Sequence, residues 1–219
     1  MHFNPWFKMQ SPFDSMAPVI FPKHGTWKQY VDSRRLEITC GEAPYLVSRY
    51  DAADGTPVAI RERIGILDRK LRVVNENAVD ETEWKKWALR AFQSTYGYEF
   101  QGDNLLIARV NLFMTYREYF VDRWGHDPDP KDYRTILNVI VWNIWQMDGL
   151  TGRIPYCRAE DEYHQMTVDE LSEMLTTGKS LEEIRYEAQV KTQLPCRIFD
   201  WRVKNSLEFQ ELRREEKGA

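Results

Sequence analysis

The spacing of apolar and polar positions predicts alternating strands and helices over most of the chain. Three short apolar runs are typical of strands: Arg35–Thr39, Tyr96–Phe100 and a segment near Trp142–Met147. Between them lie two stretches with apolar residues at helical spacing, one that Asp80 can cap and one that ends at Gly125. This alternation predicts an α/β fold with a mainly parallel sheet.

The remaining segments are less regular. Residues 1–30 mix proline with aromatic residues and have no period, which predicts an irregular arm packed through its rings. A covering helix is expected to begin at Leu46 or Val47, and the polar, turn-rich residues 51–79 are expected to be an insertion. Residues 31–205 are thus predicted to form one domain, followed by a charged tail at 206–219.

Composition narrows the classes of function. A chain of 219 residues with 42% hydrophobic content can bury a sizeable core. Its net charge of −4 gives no overall excess of basic residues, as an autonomous nucleic-acid binder would need. Cys40, Cys157 and Cys196 have no paired spacing, which argues against a disulfide framework or a structural zinc site. With no long apolar run, we expect a cytoplasmic protein without membrane contact or bound metal.

The first candidate for chemistry is the turn after the first predicted strand. Gly41 and Ala43 are small, so the backbone there can approach a ligand closely, as in a nucleotide-type cofactor cleft. The alternative is an ordinary turn that ends a strand. A phosphate-binding loop of the Gly-Lys-Ser or Gly-Lys-Thr type is excluded, because neither string occurs in the chain.

Two acids extend the candidate cleft. Glu99, at the end of the second predicted strand, can accept hydrogen bonds from both hydroxyls of a ribose. Asp68 is a rival for that role, since the ribose acid commonly follows the turn by about 20 residues. Asp148, after the third strand, can accept a hydrogen bond from an adenine amine. The alternatives are an exposed strand-end carboxylate for Glu99 and a turn cap before Gly149 for Asp148.

Three ordered stretches carry a resemblance to a known family. They are Leu36–Leu46, Tyr96–Leu112, which contains Ala-Arg-Val-Asn-Leu, and Asn143–Leu150. They resemble the adenine-specific DNA methyltransferases of restriction–modification systems, which use S-adenosylmethionine. The resemblance implies a Rossmann-like class I methyltransferase sheet, incomplete relative to the full family. It also implies a set of cofactor-binding residues: Glu37, Cys40 and Gly41 near the methionine end, Glu99 on the ribose and Asp148 on the adenine, with Thr39, Ala43 and Phe100 beside them.

The family's catalytic motif is not found. These enzymes flip the target adenine out of the duplex and hold its amine on an Asn-Pro-Pro-aromatic motif. The nearest strings are Asn4-Pro5-Trp6-Phe7, which precedes the cofactor turn, and Ile154-Pro155-Tyr156, which has no Asn. The catalytic residue is therefore unknown, with Asn4 as a candidate.

The two remaining hypotheses differ in class. The first is an S-adenosylmethionine-binding subunit or fragment of an N6-adenine DNA methyltransferase. It would act on DNA only with a missing segment or a partner, such as a second methyltransferase or restriction subunit. The second is a non-catalytic, methyltransferase-like interaction protein in a defence or regulatory complex.

Overall fold

A computed structural model of the protein describes residues 21, 26–51, 53–155 and 168–211. The chain divides into two compact units. The first comprises Met1–Gln146 and Ile198–Leu207, and the second comprises Met147–Arg197 and Glu208–Ala219. Asn4 and most of the predicted arm lie outside the described residues.

The first unit is built around a three-stranded parallel sheet. Its strands are β1 (Arg35–Ile38), β2 (Thr95–Glu99) and β3 (Ile144–Gln146), in the order β1-β2-β3. In this register Glu37 lies opposite Gly97, which lies opposite Ile144. The predicted α/β fold with parallel strands is confirmed, and the arrangement is compatible with a Rossmann-like fold.

Five α-helices accompany this sheet in the described part of the unit. Asp80 is the cap of the third, as predicted, because its Oδ1 accepts a hydrogen bond of 2.7 Å from the Glu83 N–H. The fourth ends at Gly125, as predicted, and Gly125 is its C-cap with a left-handed backbone. The helices are α1 (Trp27–Asp32), α2 (Ile66–Asn77), α3 (Glu81–Gln93), α4 (Gly102–Trp124) and α5 (Pro130–Asn143).

The core of the first unit lies among α2 to α5 and the sheet. Trp84 of α3 is fully buried, and its ring meets Tyr116 and Phe120 of α4 at centroid distances of 5.7 and 5.3 Å. Ile144 of β3 belongs to the same apolar cluster. The apolar face that predicted the second long helix therefore packs against the helix before it.

The segment expected to be an insertion contributes to this core. Leu46 and Val47 are buried but not helical, so the covering helix α2 begins later, at Ile66. The carbonyl oxygens of Tyr45 and Leu46 accept hydrogen bonds from the Ile66 and Leu67 N–H groups, both at 2.8 Å. Residues 45–46 thus satisfy the free donors at the start of α2. The polar appearance of this stretch is misleading, because four of its charged residues are buried: Arg63, Asp68, Arg69 and Lys70.

The later part of the chain forms two helices and a small sheet. Helices α6 (Val168–Thr177) and α7 (Leu181–Thr192) precede β4 (Arg197–Asp200) and β5 (Asn205–Glu208), which pair with each other. Phe209 after β5 is buried, so the segment predicted as a solvated tail from residue 206 starts as ordered structure. In the ranges that the structure describes, no helix is long and apolar enough to cross a membrane.

Candidate functional site

The turn at the carboxyl end of β1 has an unusual backbone. Thr39, Gly41 and Ala43 all have positive φ angles, of 52°, 55° and 69°. Only glycine adopts this region without steric cost, and each L-residue held there costs about 1–2 kcal/mol. Ala43 is also fully buried. Packing and hydrogen bonds therefore hold Thr39 and Ala43 in a backbone conformation that these residue types do not favour.

Backbone hydrogen bonds secure the turn to β2 and to itself. The Cys40 N–H donates to the Tyr98 carbonyl oxygen at 2.8 Å, which continues the hydrogen bonding to β2 past the end of β1. The Ala43 N–H donates to the Cys40 carbonyl oxygen, also at 2.8 Å. Gly97 in β2 leaves room for the side chains of Cys40 and Leu46, since a Cβ there would lie 3.3 Å from the Cys40 Sγ and 3.2 Å from Leu46.

Glu99 joins the ends of the first two strands. Its carboxylate accepts a hydrogen bond from the Gly41 N–H at 2.8 Å through Oε2, and one from the Gln101 N–H at 3.1 Å through Oε1. The side chain is buried, with 7% of the residue exposed. The structure therefore brings the predicted turn and the predicted ribose acid together at one edge of the sheet, where α/β proteins bind ligands.

This edge of the sheet carries negative charge. Burial raises the pKa of Glu37, in the middle of β1. Burial, followed by the nearby charges of Glu99 and Glu37, raises the pKa of the Cys40 thiol to about 12. Two carboxyl groups thus lie close to one buried, uncharged thiol. Such a site repels phosphate groups and attracts cations and hydroxyl donors.

The other candidate residues of the first unit lie around this edge. Thr39 is exposed, and its hydroxyl donates to the adjacent Ile38 carbonyl oxygen at 2.7 Å. Phe100 is 39% exposed after β2. Its carbonyl oxygen accepts a hydrogen bond of 2.9 Å from the Gln146 side chain at the end of β3. All three strand ends are therefore connected at this edge.

Two acids considered as candidates have other partners. Asp68 has no exposed surface, and its Oδ2 accepts a 2.7 Å hydrogen bond from the Ser48 N–H. Its carboxylate is therefore inaccessible to a ligand. Asp148 belongs to the second unit, where its Oδ1 accepts hydrogen bonds from the Leu150 and Thr151 N–H groups at 2.8 and 3.4 Å. This is the turn-capping geometry that was the alternative for Asp148.

Two polar side chains of α4 contact the turn and the neighbouring strand β3, and their roles were not predicted from the sequence. Asn111, which is buried, donates from Nδ2 to the Glu42 carbonyl oxygen at 2.9 Å. Arg109 donates from Nε to the Ile144 carbonyl oxygen at 2.9 Å. Both residues belong to the Ala-Arg-Val-Asn-Leu string. The string was the available signal, but it did not indicate what the two polar side chains contact.

Comparisons with known proteins add no assignment. No protein-family model, curated protein or solved structure matches the chain. Across the described parts of both units, no group of three His, Cys, Asp or Glu side chains is placed to hold a metal ion. The function must therefore be inferred from the side chains at the edge of the sheet.

Proposed function

We propose that this chain binds S-adenosylmethionine at the carboxyl ends of β1 and β2, as the cofactor-binding part of an N6-adenine DNA methyltransferase. The observation that carries the proposal is the 2.8 Å hydrogen bond between the Gly41 N–H and the Glu99 carboxylate. This hydrogen bond joins the turn to the acid, and the resemblance assigns both of them to one cofactor.

The charge of the site favours this cofactor over a phosphate-bearing nucleotide. S-adenosylmethionine carries a sulfonium and an ammonium group against one carboxylate, and its ribose offers two hydroxyl donors. Glu37 and Glu99, whose charges both act on Cys40, would offer carboxyl groups to that set. The Gly41 N–H, which a phosphate would need, already donates to Glu99. A dinucleotide would therefore meet negative charge where it requires free N–H donors.

The cofactor would supply an activated methyl group, and the chain's own residues would bind and orient it. Glu99 would exchange its backbone donors for the ribose hydroxyls, or share its lone pairs with them. The small residues Gly41 and Ala43 would allow the methionine end to approach the backbone. No described residue provides the Asn-Pro-Pro-aromatic motif, and Ile154 and Pro155 lie in a segment without Asn. DNA methylation is therefore assigned to the chain together with a partner or a further segment.

Calorimetry tests the binding step. Titration of the wild-type protein with S-adenosylmethionine is expected to give saturable heat, and titration with NAD⁺ none. Glu99→Gln keeps the size of the side chain but removes its charge, and Glu99→Ala removes both. Each is expected to weaken binding about tenfold or more, whereas Glu62→Ala, an exposed acid of the same unit, leaves the affinity unchanged. Absence of heat from the wild type would end the proposal.

A non-catalytic interaction protein is the second candidate. Both oxygens of Glu99 already accept backbone hydrogen bonds, which is what a purely structural acid would do. Under this alternative, Glu99→Ala lowers the free energy of unfolding. Neither the wild type nor any variant binds S-adenosylmethionine, so titration gives no heat. Transfer of a labelled methyl group to unmethylated duplex DNA separates the classes further: the chain alone is expected to be inactive, and addition of its partner subunit to restore transfer.

A further inference from the structure

The Asn111 side chain contacts the same turn as Glu99. Glu99 accepts from the Gly41 N–H, and Asn111 donates to the carbonyl oxygen of the next residue, Glu42. Two side chains from different elements thus hold consecutive residues of the turn. Gly41 and Ala43, on either side of Glu42, both have left-handed φ angles. The direction of the Glu42 carbonyl group therefore fixes the backbone on which the proposed methionine end would rest.

The orientation of the Asn111 amide is itself fixed. Its Oδ1 accepts a hydrogen bond of 3.2 Å from Arg49 Nη1, so the Nδ2 must face the Glu42 carbonyl oxygen and the Tyr50 hydroxyl. Tyr50 is 2.5 Å from Nδ2. An amide has both a donor and an acceptor, and both are used here. A carboxylate of the same shape would present an oxygen to the carbonyl oxygen of Glu42.

Arg49 is in turn held by an ion cluster. Glu118 of α4 binds Arg49 through Oε1 and Arg63 through Oε2, both at 2.5 Å. Glu118 and Asn111 lie on the same helix, so α4 supplies both the contact to the turn and the group that orients it. Burial alone would raise the pKa of Glu118, but the two guanidinium groups outweigh it and keep the pKa below its usual value.

We propose that Asn111 is a positioning residue for the methyl donor: by fixing the Glu42 carbonyl group it sets the geometry of the turn that receives the methionine end of the cofactor. This assignment rests on the proposed function. The assignment separates the two ends of the ligand: Glu99 is assigned to the ribose, and the turn is assigned to the amino-acid part.

The experiment uses two ligands that differ in that part. S-adenosylmethionine and methylthioadenosine share the adenosine group, but only the first has the amino-acid end. Asn111→Asp is expected to weaken binding of S-adenosylmethionine about tenfold or more, since one hydrogen bond is replaced by repulsion. Its affinity for methylthioadenosine should change less than about twofold. Asn138→Asp, at an exposed position of α5, is the matched control.

Each outcome decides the assignment. Circular dichroism first establishes that the variants are folded, and Asn111→Ala replaces Asn111→Asp if the latter is not. If the wild type binds neither ligand, the proposed function and the positioning role fall together. If the wild type binds and the Asn111 variants bind S-adenosylmethionine equally well, only the positioning role is overturned. Equal weakening of both ligands would likewise overturn it, because that is the result of a general structural defect.

Discussion

The carboxylate of Asp68 accepts a hydrogen bond of 2.7 Å from the Ser48 N–H although no part of Asp68 is exposed to solvent. Its Oδ1 has no close hydrogen-bond partner among the described residues, and the Tyr119 hydroxyl lies near the carboxylate and also donates to the Ile60 carbonyl oxygen at 3.4 Å. Burial, only partly offset by Ser48 and by the charge of Arg63, raises the pKa of Asp68 to about 6.

This shift predicts a pH-dependent stability. An unfolded Asp has a pKa of about 3.9. Between that value and the folded pKa, Asp68 holds a proton only in the folded state, so stability is expected to fall as pH rises from about 4 to about 6. The loss is about 3 kcal/mol at most, for a shift of about two pKa units. Asp68→Asn cannot titrate and should lack this loss.

Urea unfolding at several pH values between 4 and 7.5 measures the effect. The free energy of unfolding of Asp68→Asn relative to the wild type should rise across this range. Asp54→Asn is the control: hydrogen bonds from Thr56 lower the pKa of Asp54, so its contribution is lost only below about pH 4 and its profile should run parallel to the wild type across this range. Parallel profiles for Asp68→Asn and the wild type would contradict the assignment of the shift to Asp68.

A buried lysine holds the amino ends of β1 and β2. Lys70 Nζ donates to the Ser33 carbonyl oxygen and to Ser94 Oγ, each at 2.7 Å, and to Thr95 Oγ1 at 3.2 Å. Lys70→Met keeps the length of the side chain but leaves these acceptors unpaired. We expect it to lower the free energy of unfolding by about 3 kcal/mol, and Lys86→Met, at an exposed position of α3, to change it by about 0.5 kcal/mol or less. Urea titration of the two variants checks the contrast, which equal values would contradict.

The strands and long helices could be predicted from sequence because their signals are local. β1 and β2 are short apolar runs, and α3 has both its apolar spacing and its cap, Asp80. Helix α2 was missed for the opposite reason. It contains the run Asp68-Arg69-Lys70, which looks solvated, but all three residues are buried. The partners that allow this burial, such as Ser48 and Ser94, are more than a helix length away in sequence.

At the candidate site, too, some contacts could be predicted from sequence and others, between residues distant in the chain, could not. The contact between Gly41 and Glu99 follows from parallel strands, because the carboxyl ends of neighbouring strands meet at one edge. The role of Asn111 could not be predicted in this way. Its partner is a backbone carbonyl group 69 residues earlier, and a backbone atom leaves no mark on the sequence. The left-handed Ala43 was equally hidden, since alanine does not signal a positive φ angle.

Thiol reactivity provides a test that needs no ligand. Burial is the largest cause of the raised pKa, about 12, of both Cys40 and Cys196, with Glu99 adding to it at Cys40 and Asp148 at Cys196. At pH 8 only about one such thiol in ten thousand is ionised. Iodoacetamide is therefore expected to leave both cysteines unmodified in the folded protein and to alkylate both in urea. Peptide mapping by mass spectrometry assigns the sites, and rapid native labelling of Cys40 would contradict its burial.

Replacement by alanine is expected to change the free energy of unfolding in opposite directions at two glycines of the first unit. At Gly65, which caps α2, an added Cβ would lie 2.5 Å from the Leu46 carbonyl oxygen and 2.7 Å from the Asp68 Oδ2. Because the first of these is backbone, the start of α2 would have to move away from residues 45–46. Gly65→Ala is expected to lower the free energy of unfolding by about 2–3 kcal/mol.

Gly102, the first residue of α4, is the matched comparison. A Cβ there would have the Gln146 side chain as its nearest neighbour, at 3.8 Å, an ordinary contact. Gly102→Ala should therefore stabilise the protein by about 0.5 kcal/mol, since alanine loses less chain entropy than glycine on entering a helix. Urea unfolding of both variants measures the difference. If Gly65→Ala were as stable as Gly102→Ala, the close approach of Leu46 to the start of α2 would be wrong, and with it the contact by which residues 45–46 satisfy the first N–H groups of that helix.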